Sequence, residues 1–157
     1  MLKRYSNEEI FRDLELMGIS EGDVILCKVN LLSVGLVSKD SKNGFLKALM
    51  QYLGPGGTIV APAYTKTHFL PFINKNKKIF KINDIPSTGG FAKSIFMHPN
   101  SVRSTHPTNS FLALGRHAKA ILNDHNHKSH SYQPVQAAME LDAKGLIVGC
   151  LYSTPGH

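Results

Sequence analysis

Val24-Ile25-Leu26-Cys27-Lys28-Val29 and Thr58-Ile59-Val60-Ala61-Pro62-Ala63 are two short apolar runs rich in β-branched residues. Their length suits a strand buried on both faces and is too short for a helix. Between them, near Lys42–Leu53, the side chains of Phe45, Leu46, Leu49, Met50 and Leu53 share one side of a helix of about a dozen residues. Gly54-Pro55-Gly56-Gly57 then makes a sharp turn, because Gly supplies positive φ and Pro fixes its own. A strand, a helical crossover and a second buried strand imply parallel strands in an α/β sheet. The glycine-rich turn lies between helix and strand. A phosphate cradle needs its glycines at a helix N-terminus, so this turn is not one.

Upstream, Ser6-Asn7-Glu8-Glu9 reads as a capping box: the Ser6 hydroxyl accepts from the amide three residues on, and Glu9 reaches back. Ile10, Leu14 and Met17 share the face of the helix that follows, and Gly18 stops it. Asn30–Gly35 reads as a loop after the first strand. Downstream, Tyr64–Pro86 has no clean period and carries Phe69, Phe72 and Phe80. Such a long irregular segment in a compact domain suggests a functional lid or an insert. Short helices are expected over Phe91–Met97, Arg116–Leu122 and Val135–Leu141, and a strand over Gly145–Gly149.

The chain has 157 residues, 42% hydrophobic and 18% charged, which suits one globular domain over 1–157 with a core of its own. No apolar run approaches the ~20 residues of a membrane span, and the polar Ser-Asn-Glu-Glu after Tyr5 does not suit a signal peptide. Cys27 and Cys150 sit in apolar runs and read as reduced, buried thiols of a cytoplasmic protein. Lys and Arg total 18 against 11 acids, a net charge of +7. Five bases, Lys66, Lys75, Lys77, Lys78 and Lys81, fall in one stretch without an acid. That balance favours an anionic partner or is simply a solvated basic loop. Zinc-finger spacing, an RNP-like aromatic motif and Trp are all missing, which argues against nucleic acid.

The densest polar stretch is Arg103-Ser104-Thr105-His106-Pro107-Thr108-Asn109-Ser110, fed into the apolar run Phe111–Leu114 and ended by Gly115. A polar loop joined to a buried strand holds ligand-binding groups on a rigid edge, although an ordinary loop capped by its own Ser and Asn side chains has the same pattern. Asp124–His130 gathers His125, His127 and His130. Their spacing of two and three is poor for zinc, so the segment reads as a surface loop and no metal is expected.

The order of these motifs resembles the aminoglycoside 3-N-acetyltransferase family, acetyl-CoA-dependent enzymes distinct from the GNAT acetyltransferases. Leu16–Asp23 is similar to the family's Leu-Gly-Val-x-x-Gly-Asp, and Gly54–Pro62 to Gly-Pro-Gly-Gly-Thr-Leu-Val-x-Pro. Arg103–Pro107 with Ser110 and Gly115 resembles Arg-Ser-x-His-Pro-x-x-Ser-x-x-x-x-Gly, and Gly145–Gly149 the strand before the catalytic loop. The resemblance implies a three-layer α/β/α fold around a mostly parallel or mixed sheet, incomplete at the C-terminus because family members are substantially longer. It implies acetyl transfer from acetyl-CoA to an amino group of an aminoglycoside or amino sugar, with a non-catalytic CoA- or nucleotide-binding fragment as the alternative. A small-molecule amine acceptor and a possible homo-oligomer go with it, without nucleic acid or membrane.

The implied cofactor-side residues are Lys28, Asn30, Ser33, Arg103, Ser104, His106 and Ser110, with Arg103 on the CoA phosphates. Lys28-Val29-Asn30 stands where the family has His-Ser-Ser, which removes hydroxyls that would line the thioester. His68 falls near the position where family enzymes place an acid. The family's catalytic His follows the strand matched by Gly145–Gly149, so His157 is that residue or the true one lies a few positions beyond it. His106 is then a positioning residue and not the base.

Overall fold

The computed structural model describes residues 4–37, 44–65 and 80–150. In chain order the elements are β1 (Arg4–Tyr5), α1 (Asn7–Leu16), β2 (Val24–Val29), α2 (Leu31–Val34), β3 (Leu36–Val37), α3 (Gly44–Leu53), β4 (Thr58–Pro62), α4 (Gly90–Phe96), β5 (Val102–Arg103), β6 (Phe111–Gly115), α5 (Ala118–Leu122), α6 (Gln133–Met139) and β7 (Lys144–Val148). The capping box forms as expected: Glu9 N donates to Ser6 Oγ at 3.2 Å, and Ser6 N donates to Glu9 Oε2 at 2.8 Å. Ile10 and Leu14 are buried, whereas Met17, expected on the same face, is exposed, because α1 ends at Leu16 and the chain turns away.

Five strands form one sheet in the order β5-β6-β4-β2-β7. β2 pairs parallel with β4, Val24 facing Thr58, and with β7, Cys27 facing Leu146. β6 runs antiparallel to β4, with Thr58 opposite Gly115 and Pro62 opposite Phe111, which makes the sheet mixed. β5 pairs with β6 on the outer edge. A separate two-stranded parallel pair joins β1 to β3.

The period of two in the strands divides the core into two layers. Ile25, Cys27, Val29, Ile59, Ala61, Leu112, Leu114 and Leu146 pack with buried residues of α1, α3 and α4. Val24, Leu26, Val60, Phe111 and Ala113 pack with Ala118, Ile121 and Leu122 of α5 and Ala138 of α6. Because both faces are covered, the strands carry continuous apolar runs instead of alternating ones. The result is the expected helix-sheet-helix arrangement. No helix among the described residues is long and apolar enough to cross a membrane.

Two local expectations change. Asn30–Gly35, read as a loop, contains the single-turn helix α2, because Asn30 caps it by accepting from Leu32 N at 3.2 Å. Cys150 is half-buried, while Cys27 is buried in β2, where burial pushes its thiol pKa upward. Only the strand interior excludes water from both sides of a thiol.

Candidate functional site

The carboxyl ends of β2, β4 and β7 lie on one edge of the sheet, together with the amino end of β6 and the loop that joins it to β5. In α/β sheets this edge is where loops are free to bind ligands while the strands hold them rigid. Lys28, Asn30, Ser33, Arg103, Ser104, His106 and Ser110 all belong to segments that meet this edge. His68 and His157, with Lys66, Lys75, Lys77 and Lys78, lie outside the described residues.

Lys28 is half-buried at the end of β2, paired in register with Ile147, which is 37% exposed. Asn30 is exposed; its Oδ1 caps α2, and its Nδ2 has no partner among the described residues. Ser33 is exposed on α2. Gly149, at φ 70°, passes so close to this turn that a Cβ there would stand 2.6 Å from Ser33 Cβ. The end of β7 and the turn after β2 therefore form one wall.

Arg103 faces inward. It is 8% exposed, and its guanidinium is surrounded by protein acceptors. Nε and Nη2 donate to Ser110 Oγ at 3.3 and 3.2 Å, Nη2 also to Ala63 O at 2.9 Å, and Nη1 to Ile82 O at 3.0 Å and to Asp84 O. The rings of Phe80 and Phe96 lie 5.1 and 5.6 Å from its Cζ. These contacts use all five N–H donors of the group. In this arrangement Arg103 has no donor left for a phosphate; it ties the 80–84 segment to the end of β4. Ser110, also buried, donates to Ala63 O at 2.7 Å and is used in the same joint.

Ser104 is buried and accepts from Phe111 N at 2.8 Å, closing the loop on itself. His106 Nδ1 accepts from Asn109 N at 3.0 Å, so its proton sits on Nε2 and the ring is neutral. Burial holds its pKa below the usual imidazole value.

His125 is the residue that sequence reading misplaced. Assigned to a surface loop, it is 1% exposed. Its Nδ1 lies 2.9 Å from Ser104 Oγ, its carbonyl accepts from Thr105 N at 3.1 Å, and its ring stacks on His106 with centroids 4.8 Å apart and planes 11° apart. Its Nε2 is buried without a hydrogen-bond partner among the described residues. Burial first, then neighbouring His106, pushes its pKa down from 6.5 to about 4. Three histidines within six polar residues hid a core residue, because composition alone reads such a stretch as solvent-facing. Tyr64, just past β4, is a second omission. Burial first, then Tyr132, raises its hydroxyl pKa to about 12, and it also bonds to Asn109.

A pH dependence follows. An unfolded chain protonates this histidine near 6.5, whereas the folded chain resists protonation until about pH 4. Below 6.5 the unfolded state therefore binds more protons, and stability falls with pH. Unfolding free energy is expected to be at its plateau above pH 7 and to drop by ~2–3 kcal/mol between pH 6.5 and 4. His125→Phe should flatten that limb in urea titrations. An unchanged slope would exclude His125 as its origin.

The family model for aminoglycoside 3-N-acetyltransferases matches residues 26–155. Aminoglycoside N(3)-acetyltransferase IV from Salmonella sp is 30% identical over 155 residues, 95% of this chain and 55% of that protein. The SPbeta prophage-derived aminoglycoside N(3')-acetyltransferase-like protein YokD of Bacillus subtilis (strain 168) is 26% identical, over 76% of this chain and 50% of its own length. Among solved structures, the apoenzyme of aminoglycoside acetyltransferase AAC(3)-IVa superposes with a TM-score of 0.76 at 26% identity, covering 96% of this chain and 57% of its own. AAC-VIa bound to sisomicin gives 0.79 at 25% identity, covering 92% and 59%. The chain spans about half the length of these relatives.

Proposed function

We propose, because this chain belongs to the aminoglycoside 3-N-acetyltransferase family, that it serves acetyl transfer from acetyl-CoA to an amino group of an aminoglycoside or amino sugar. The observation that carries this reading is that the polar β5–β6 loop stands on the same sheet edge as the Pro62 end of the Gly54–Pro62 motif and the Gly149 end of the last strand, while Leu16–Asp23 and Gly54–Gly57 lie at the opposite edge. The turn after β2, the end of β4, the β5–β6 loop and the end of β7 all meet at the first of these edges.

The donors without a partner among the described residues at that edge suit an anionic, amide-bearing cofactor: the half-buried Lys28 ammonium, Asn30 Nδ2 and the Ser33 hydroxyl. Acetyl-CoA supplies the activated acyl group as a thioester. Lys28, Asn30 and Ser33 would hold the cofactor. Arg103, Ser104, His106 and Ser110 would shape the opposite wall without touching it, a division of labour that revises the role implied for Arg103. The acceptor amine must lose a proton as it attacks, so a base is needed, and His157 or His68 is the proposed group. The +7 charge favours an acceptor less cationic than an aminoglycoside within these 157 residues, such as an amino sugar on an anionic carrier.

The test is a thermal-shift and thiol-release panel with acetyl-CoA, aminoglycosides and nucleotide-linked amino sugars. Acetyl-CoA well above its dissociation constant is expected to raise the melting temperature by several degrees. Binding with no thiol release from any amine would support the non-catalytic alternative. Neither binding nor release would reject the family activity for this chain.

A further inference from the structure

We infer that His125 is a positioning residue: it grips three consecutive residues of the β5–β6 loop and so sets where that loop stands at the sheet edge. Each grip uses a different part of the residue. The ring Nδ1 meets Ser104 Oγ at 2.9 Å, the backbone carbonyl takes Thr105 N–H at 3.1 Å, and the ring face supports His106 at 4.8 Å between centroids.

The hydrogen-bond inventory explains how the grip works. Ser104 Oγ accepts from Phe111 N at 2.8 Å and lies 2.9 Å from His125 Nδ1, a closer approach than its 3.5 Å to Phe111 O. The other ring nitrogen, Nε2, is buried and has no partner in hydrogen-bond geometry among the described residues. A buried polar nitrogen without a partner costs ~1–3 kcal/mol, so a residue with no purpose beyond filling space would be better replaced by an apolar ring. What the histidine adds over a phenylalanine is the bond to Ser104. Through Ser104 it acts on Phe111, the first residue of β6; through the stack it acts on His106 and on the Asn109 amide that His106 holds at 3.0 Å. His125 comes from the segment after α5, so the helix layer on the sheet's second face determines the position of a loop on the sheet edge. Tyr64 and Tyr132 lie on the outer side of the same cluster and join it through Asn109.

This inference rests on the proposed function only in giving the loop a part in cofactor or acceptor binding. Its test is therefore hydrogen exchange of single amides, which needs no ligand. In His125→Ala, the Asn109 and Phe111 amides are expected to exchange at least tenfold faster, while Leu26 and Val60 in the core strands keep their rates. His125→Phe restores a ring beneath His106 but no ring nitrogen to bond Ser104. It is expected to recover the protection of Asn109 and not that of Phe111. A residue that only fills the core would move all four amides together, and that result would overturn the inference. Unchanged rates at Asn109 and Phe111 would overturn it too. The phenylalanine variant keeps the core filled, so the comparison holds even where the alanine variant is too unstable to study. If the parent binds acetyl-CoA, His125→Ala should also weaken that binding at least tenfold. A parent that binds none rejects the functional reading and leaves the exchange result to judge His125.

Discussion

Replacing Arg103 with alanine is expected to lower the unfolding free energy by about 3 kcal/mol, a fall of about 6–12 °C in melting temperature for a domain this size. The guanidinium joins Ala63 O, just past β4, to Ile82 O and Asp84 O of the 80–84 segment, while also holding Ser110 Oγ. Ala63 O would keep its bond from Ser110, but Ile82 O and Asp84 O would need water. The cavity between Phe80 and Phe96 adds to the loss. Arg103→Lys should recover less than half of it, since one ammonium cannot point along the three directions a planar fork serves. Urea unfolding of both variants measures this. Direct contact between Arg103 and a phosphate would give the reverse result: affinity for acetyl-CoA lost with stability kept. An alanine variant within ~0.5 kcal/mol of the parent would show that the joint carries no weight.

Gly115→Ala should cost about 4 kcal/mol, the sum of strain at a left-handed backbone position and a contact that has no room to relax. Gly115 has a φ of 122°, and a Cβ there would stand 2.2 Å from Gly57 O and 2.8 Å from Thr58 Cα. Both neighbours are backbone atoms, at the start of β4 and in the turn just before it, so no side chain can swing aside. The same crossing is fastened by Arg116 N to Gly57 O at 3.1 Å and by His117 N to Thr58 Oγ1 at 3.0 Å. Pushing them apart shifts the β4–β6 register, at whose other end stand Ser110 and Ala63. Gly56→Ala is the control: a Cβ there would meet only Gly22 Cα, at 3.4 Å. It is expected to stay within ~1 kcal/mol of the parent. Equal midpoints for the two variants in urea would contradict the account of Gly115.

Most of the elements were legible because their causes are local. Val24–Val29 and Thr58–Pro62 are buried on both faces, so their apolar runs carry no other reading, and the amphipathic α3 between them forces the strands to be parallel. The capping box is written in Ser6 and Glu9 alone. The chemistry-bearing loop was also visible in the chain, as eight consecutive residues from Arg103 to Ser110 unlike any other stretch. Where each side chain faces was not visible. Arg103 reads as a phosphate ligand until the ends of β4 and the 80–84 segment surround it with carbonyls. His125 reads as a surface histidine until α5 turns it under the β5–β6 loop. Both are decided by residues 19 to 40 positions away, through hydrogen bonds that leave no period or spacing in the sequence. Local propensity and periodicity therefore determined the strands, the helices and the segments that meet at the edge. Only the tertiary structure, by surrounding buried polar groups with partners, decided which of those segments' side chains remain available to a ligand.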